Sequence, residues 1–146
     1  MSTPRSIRFD LSTLARLESY AARHPGLSVS SAAALLTEEG LRMDAHPGIL
    51  FRDGPTGRRA GLAAGPDVWE IIRSILSAKE ADPSATPEAL AEIIGENTGL
   101  STTAISIAVN YYASYPDEID AQLRAAEDAE REAEVVLART HELLGL

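Results

Sequence analysis

The sequence predicts a mostly α-helical chain in two parts: a strand with two helices, then a β-hairpin, a helical domain and a C-terminal helix. Three observations predict it. Apolar residues alternate at period 2 only in a short N-terminal run, Ser6 to Leu11. Nearly everywhere else they recur at helical spacing. The exception is Ile49–Leu62, where Asp53-Gly54-Pro55-Thr56-Gly57 separates two short runs, as in a hairpin with a five-residue loop.

Met1 to Arg5 reads as a short polar arm. Ile7, Phe9 and Leu11 then alternate with Ser6, Arg8 and Asp10, which gives a strand one buried face. Ser12 is expected to cap the first helix, whose face carries Leu14, Leu17, Ala21 and Tyr20. After His24-Pro25-Gly26, Ser28, Ser30 and Ser31 open a second helix with Val29, Ala32, Leu35, Leu36 and Leu41 on its apolar face. A lone strand and two helices bury little surface. The economical solution pairs the strand with its copy on a second chain. Ile7, Phe9, Leu11, Leu35 and Leu36 are then the expected dimerisation residues.

These residues resemble the ribbon-helix-helix (Arc/MetJ/CopG) family over roughly the first 44 positions. The Arg-bearing strand, the Leu-Ser entry to the first helix and Gly26-x-Ser28-Val29-Ser30 carry the likeness. The resemblance implies a homodimer whose two-stranded ribbon enters the major groove of operator DNA. Ser6, Arg8 and Asp10 would face the bases, and the Arg8 fork suits guanine O6 and N7. Asp10 suits that place only if it accepts from a cytosine or pairs with Arg8. Arg5 could reach a phosphate. The N-terminus of the second helix, with Ser28, Ser30 and Ser31, would clamp the backbone.

Asp44-Ala45-His46-Pro47-Gly48 marks a boundary, so residues 1–45 are expected as one domain. Arg52, Arg58 and Arg59 on the following hairpin suit a wing against phosphates; Arg52 and Arg59 equally suit pairing with carboxylates further along. Asp67 caps the next helix, with Val68, Trp69, Ile71, Ile72, Ile75 and Leu76 as its apolar face and Trp69 in the core. Thr86-Pro87-Glu88 starts another helix. The run Ile93 to Ile105 then has a helix-turn-helix pattern with Ser101 as cap. The exposed face of its second helix, Thr102, Thr103, Ser106 and Asn110, carries no cation, which points to packing or protein binding.

The segments His46–Gly54, Gly57–Ala60, Asp67-Val68-Trp69 and Tyr111–Asp120 resemble the winged-helix domain of VapB-type antitoxins. That resemblance implies a PIN-like nuclease toxin as partner. Residues 46–116 are expected as this hairpin and helix-turn-helix-like domain, and 117–146 as an acidic C-terminal helix. Ile119, Leu123, Ala126, Ala133, Leu137 and Leu144 fall on one stripe of that helix. Leu123, Leu137 and Leu144 would touch the toxin. A solvated helix with an incidental stripe is the plainer reading.

Charge divides the same way. The chain carries −9 overall, but residues 1–65 hold eight Lys/Arg against six Asp/Glu and residues 66–146 hold five against sixteen. Phosphate contact therefore belongs to the front, and the rear suits a basic protein or solvent. With no cysteine there is no disulfide or thiolate metal site. His24, His46 and His141 are scattered, and no catalytic motif appears, so neither an enzyme nor a cofactor is expected. No apolar run reaches membrane-spanning length, and the chain is expected to be cytoplasmic. The expected function is antitoxin and autorepressor. The alternatives are a ribbon-helix-helix regulator without a toxin and an interaction adaptor that does not bind DNA.

Overall fold

The computed structural model describes residues 3–55 and 57–146. Met1 and Ser2 of the expected arm, and Thr56 of the expected loop, lie outside the described residues. The described chain is mostly helical, with six helices and one two-stranded antiparallel hairpin. It forms two compact units that meet in sequence between Ala45 and His46.

The first unit holds α1 (Leu11–Arg23) and α2 (Val29–Ala45). Residues 3–10 carry neither helix nor strand and are exposed. Among the described residues, the period-2 run thus has no strand partner. The cap also differs from expectation. Asp10, not Ser12, opens α1, with its Oδ1 accepting from the Thr13 N–H at 2.6 Å. Asp10-x-x-Thr13 places a carboxylate where it meets an otherwise unpaired helix-start donor, which draws Leu11 into the first turn. At the other end the His24 N–H bonds the Ala21 carbonyl, and the His24 ring stacks on Tyr20 at 4.0 Å. Ser28 then caps α2 by accepting from the Ser31 N–H at 3.1 Å.

Little of this unit is dry. Among its described residues, those buried are Leu17, Ala32 and Glu39. Phe9, Leu17, Tyr20, Ala33 and Leu36 line an open groove of about 530 Å³ between the two helices.

The second unit begins with β1 (Ile49–Gly54) and β2 (Gly57–Leu62). Pairing runs from Ile49–Leu62 to Gly54–Gly57. The strands therefore extend through Asp53 and Arg58 into what the sequence suggested was a five-residue loop. Gly57 supports this with φ +117, a backbone conformation that glycine alone adopts without strain.

The helices follow as α3 (Val68–Ala81), α4 (Pro87–Thr98), α5 (Thr102–Ser114) and α6 (Pro116–Leu144). Each of the first three begins at a sequence-readable cap. Asp67 precedes α3, and its N–H donates to the Glu70 carboxylate at 2.9 Å, half of a capping box. The Thr86 hydroxyl accepts from Ala89, with Pro87 at the first helical position, and the Ser101 hydroxyl accepts from Ala104. Between α4 and α5, Gly99 turns the chain in the left-handed region at φ +73. Gly95 lies where the chain folds back: a Cβ there would be 3.2 Å from the Leu100 carbonyl. The two helices are thus joined by a tight turn.

One core binds the unit. Ile49, Ala60 and Leu62 from the hairpin meet Val68, Ile71 and Ile72 of α3, Ala108 and Tyr111 of α5, and Ile119 and Leu123 of α6. Trp69 packs against this cluster, as expected of a core tryptophan, and the Arg73 guanidinium lies 4.8 Å over its ring. The root of α6 thus packs in one core with the hairpin, α3 and α5. Beyond it, every residue from Glu127 onward is exposed.

Candidate nucleic-acid and partner interfaces

At the N-terminus, Arg5, Ser6 and Arg8 lie together on the exposed run before α1. Ile7 is 71 % and Leu11 86 % exposed, and Phe9 is also exposed at the mouth of the α1–α2 groove. A face with three large apolar side chains in water calls for a cover. Leu35 and Leu36 are half-buried on α2, with Leu36 lining the same groove. Of the expected dimerisation residues, Phe9 and Leu36 are therefore brought together around one opening.

Asp10 has a task of its own. The Thr13 backbone N–H, then the Thr13 side chain and the Arg16 charge, hold its carboxyl below the ordinary value near 3.8. An ionised cap also faces the positive end of the α1 dipole. Asp10 thus helps start the helix, whatever else it meets.

Ser28, Ser30 and Ser31 surround the start of α2 and all are exposed. The Ser28 Oγ both accepts from the Ser31 N–H and donates to the Ser31 Oγ at 2.9 Å. These hydroxyls sit beside the helix-start N–H groups, so the two expected roles, cap and phosphate contact, occupy one place.

The hairpin arginines meet acceptors of the protein itself. Arg52 donates through Nη2 to the Leu62 and Gly65 carbonyls at 2.8 and 3.1 Å, and its Nε lies 3.7 Å from Asp67 Oδ1. Arg59 Nε lies 2.9 Å from Asp67 Oδ2. That contact is an ion pair whose N–H is misaligned for a hydrogen bond. Arg58 pairs with Asp53 at 3.2 Å on the neighbouring strand. Of the two roles open to Arg52 and Arg59, pairing with a carboxylate is the one in place. The acid concerned is Asp67 at the start of α3, not the acidic C-terminal helix.

Asp67 is the residue that sequence reasoning undervalued. It caps α3 and, buried, also gathers two guanidinium groups. Its capping position was legible; its second role depends on the hairpin folding back over the start of α3, which local spacing does not encode.

At the rear, the three expected toxin contacts separate. Leu123 is 7 % exposed and packed in the core, so it is unavailable to a partner. Leu137 and Leu144 are 55 % and 64 % exposed, and Val135, Val136 and Leu143 are exposed near them. Ile119 and Leu123 begin a stripe that faces the core, and its continuation leaves the body with the helix. Acidic side chains flank it: Glu127, Asp128, Glu130, Glu132, Glu134 and Glu142. On α5, Thr102, Thr103, Ser106 and Asn110 are exposed, with no Lys or Arg on that helix.

The histidines do not converge. His24 stacks on Tyr20, and His46 meets Tyr111 and Tyr115 edge-on at 5.3 and 5.9 Å. Among the described residues, no group of His, Asp and Glu is arranged to hold a metal ion. No helix among them is long and apolar enough to cross a membrane. No family model matches the chain, and neither the curated proteins nor the solved structures contain a significant match to it.

Proposed function

We propose that the chain is a homodimeric, DNA-binding antitoxin that represses its own promoter and neutralises a basic partner toxin of the PIN-like nuclease class. The observation that carries the first half is the thin core of the N-terminal unit. Among its described residues it buries one leucine and one alanine as its apolar core, while Ile7, Phe9 and Leu11 are exposed. Two helices with so little burial are marginal alone, and pairing two copies through residues 6–11 covers the exposed face. A paired ribbon then presents Ser6 and Arg8 from both chains, with Arg5 and the Ser28, Ser30 and Ser31 hydroxyls available to phosphates. The resemblance of residues 1–44 to ribbon-helix-helix proteins supports the same assignment.

The second half rests on the distal part of α6. It combines exposed Val135, Val136, Leu137, Leu143 and Leu144 with a surplus of carboxylates. That combination suits an apolar groove rimmed by Lys and Arg. Leu137 and Leu144 remain in the proposed contact; Leu123 does not.

Sedimentation of the purified chain tests the dimer. A dimer is expected, and Phe9→Glu is expected to give a monomer that no longer retains the promoter fragment. Removal of residues 132–146 tests the other half. DNA binding is expected to survive, while protection of cells from a co-expressed neighbouring nuclease is lost. A truncated chain that still protects would refute the toxin contact.

A further inference from the structure

The chain carries both an uncovered helix face and an uncovered groove, and the two are complementary in polarity and charge. The groove lies between α1 and α2 and measures about 530 Å³. Leu17, Tyr20, Ala33 and Leu36 give it an apolar lining, and Arg16 and Arg23 stand along its α1 side. Both arginines are exposed, and among the described residues neither is closed into an ion pair. Asp10, whose carboxyl feels the Arg16 charge, is already taken by the Thr13 N–H. Arg16, Ser19 and Arg23 follow at three- and four-residue spacing, so they share one face of α1. That rim is cationic.

The helix face is the stretch of α6 from Glu132 to Leu144. Ala133, Val136, Leu137, Leu143 and Leu144 recur at helical spacing on one side, and all are exposed. At about 100° per residue, Glu132 and Glu134 fall on the two flanks of that side. Either lay of the helix therefore turns a carboxylate to an arginine rim. The lengths agree as well. At about 1.5 Å per residue, Glu132 to Leu144 spans about 18 Å, and Thr13 to Arg23, the α1 wall of the groove, about 15 Å.

We propose that the α1–α2 groove of one copy receives the distal α6 of a second copy, with leucines on the apolar lining and carboxylates on Arg16 and Arg23. The contact joins unlike surfaces. It closes when each copy both lends a helix and receives one, and otherwise adds copies head to tail. It uses the side of α6 assigned above to the toxin, so a bound toxin and a second copy exclude one another. It does not rest on the DNA or toxin contacts: ribbon pairing engages residues 6–11, whereas the rim used here runs from Arg16 to Arg23.

The chain has no cysteine, so single introduced thiols report the contact without background. Ser19→Cys in the groove and Ala133→Cys on the helix are purified as separate full-length chains, mixed, and treated with a short bismaleimide. Each chain has one thiol, so every cross-link joins two copies, and an affinity tag on one of them identifies the mixed product. Thr102→Cys, on the exposed start of α5, replaces Ala133→Cys as the control for chance collision. Neither DNA nor toxin enters the assay. The expected result is a mixed product well above the control. Arg16→Glu with Arg23→Glu in the groove chain should cut its yield about tenfold. Glu132→Arg with Glu134→Arg in the helix chain should then restore it. If a charge variant fails to fold by circular dichroism, the comparison with the Thr102→Cys control decides. A mixed product no greater than that control, or one indifferent to charge reversal, would overturn the proposal.

Discussion

Arg73 Nη1 donates to Glu130 Oε1 across 2.6 Å, joining α3 to α6 where the C-terminal helix is already exposed. On the body side of this bridge lies Leu123, inside the core, and beyond it lies Leu137, on the same helical stripe but in water. The bridge itself is solvent-exposed and contributes little, on the order of 0–1 kcal/mol. Position along the helix decides what each leucine does.

Leu123→Ala is therefore expected to cost about 2–4 kcal/mol of unfolding free energy, as for a buried leucine that leaves a cavity. Leu137→Ala should change stability by less than about 0.5 kcal/mol, yet weaken binding to the partner. Urea unfolding followed by circular dichroism reads the first effect, and co-purification with the partner reads the second. Equal stability losses at the two sites would show that the distal helix is packed against something within the chain.

Asp67 joins the hairpin to α3. Removing its carboxylate leaves Arg52 and Arg59 facing one another without an anion and deletes the α3 cap. Both arginines are partly exposed, so water recovers some of the loss. Asp67→Ala is expected to destabilise by about 2–3 kcal/mol, below the figure for a fully buried pair. High salt should narrow the difference between variant and parent. A loss that does not change with salt would mean that the cap alone accounts for it.

Gly61 is held to its identity by Arg52. A Cβ at position 61 would meet the Arg52 Nη2 group and lie 3.0 Å from Asp67 Oδ1. Arg52 cannot swing aside without giving up the Leu62 and Gly65 carbonyls it bonds. Gly61→Ala is expected to cost about 1–3 kcal/mol, the range for forced overpacking. In the Arg52→Ala background the same change should cost less, because the obstructing group is gone. Thermal unfolding of the four proteins in that double-mutant cycle tests the coupling.

Asp10 gives the N-terminal unit a pH dependence of known sign. Its carboxyl is held below the ordinary value near 3.8, chiefly by the Thr13 N–H. A depressed folded value stabilises the ionised form. The contribution is complete above the unfolded value and fades as the pH falls through the folded one. Helicity of the N-terminal unit should drop in that acid window, and Asp10→Asn should reduce the slope. An identical acid profile in the two proteins would assign the transition to other carboxylates.

Much of the helical framework was legible because its punctuation is local. Asp67, Thr86-Pro87 and Ser101 announce three helix starts, and Gly99 announces a turn, each through one hydrogen bond or one backbone angle. Asp10 was harder because two patterns claim it. It completes a period-2 alternation and also stands three residues before a helix-start donor at Thr13, and the cap occupies it in the single chain. The meeting of Arg52 and Arg59 at Asp67 was not legible as one site, because it arises only when the hairpin folds back over α3. Leu123 and Leu137 look alike in spacing, and only the end of the body separates them.

The most direct test of the account is binding of the purified chain to its own upstream DNA over a salt series, with Arg8→Ala measured in parallel. The account predicts saturable binding that weakens steeply as salt rises. It also predicts a loss of about 1–3 kcal/mol of sequence discrimination when the Arg8 fork is removed. Binding that Arg8→Ala leaves unchanged, or no binding even at low salt, would contradict it.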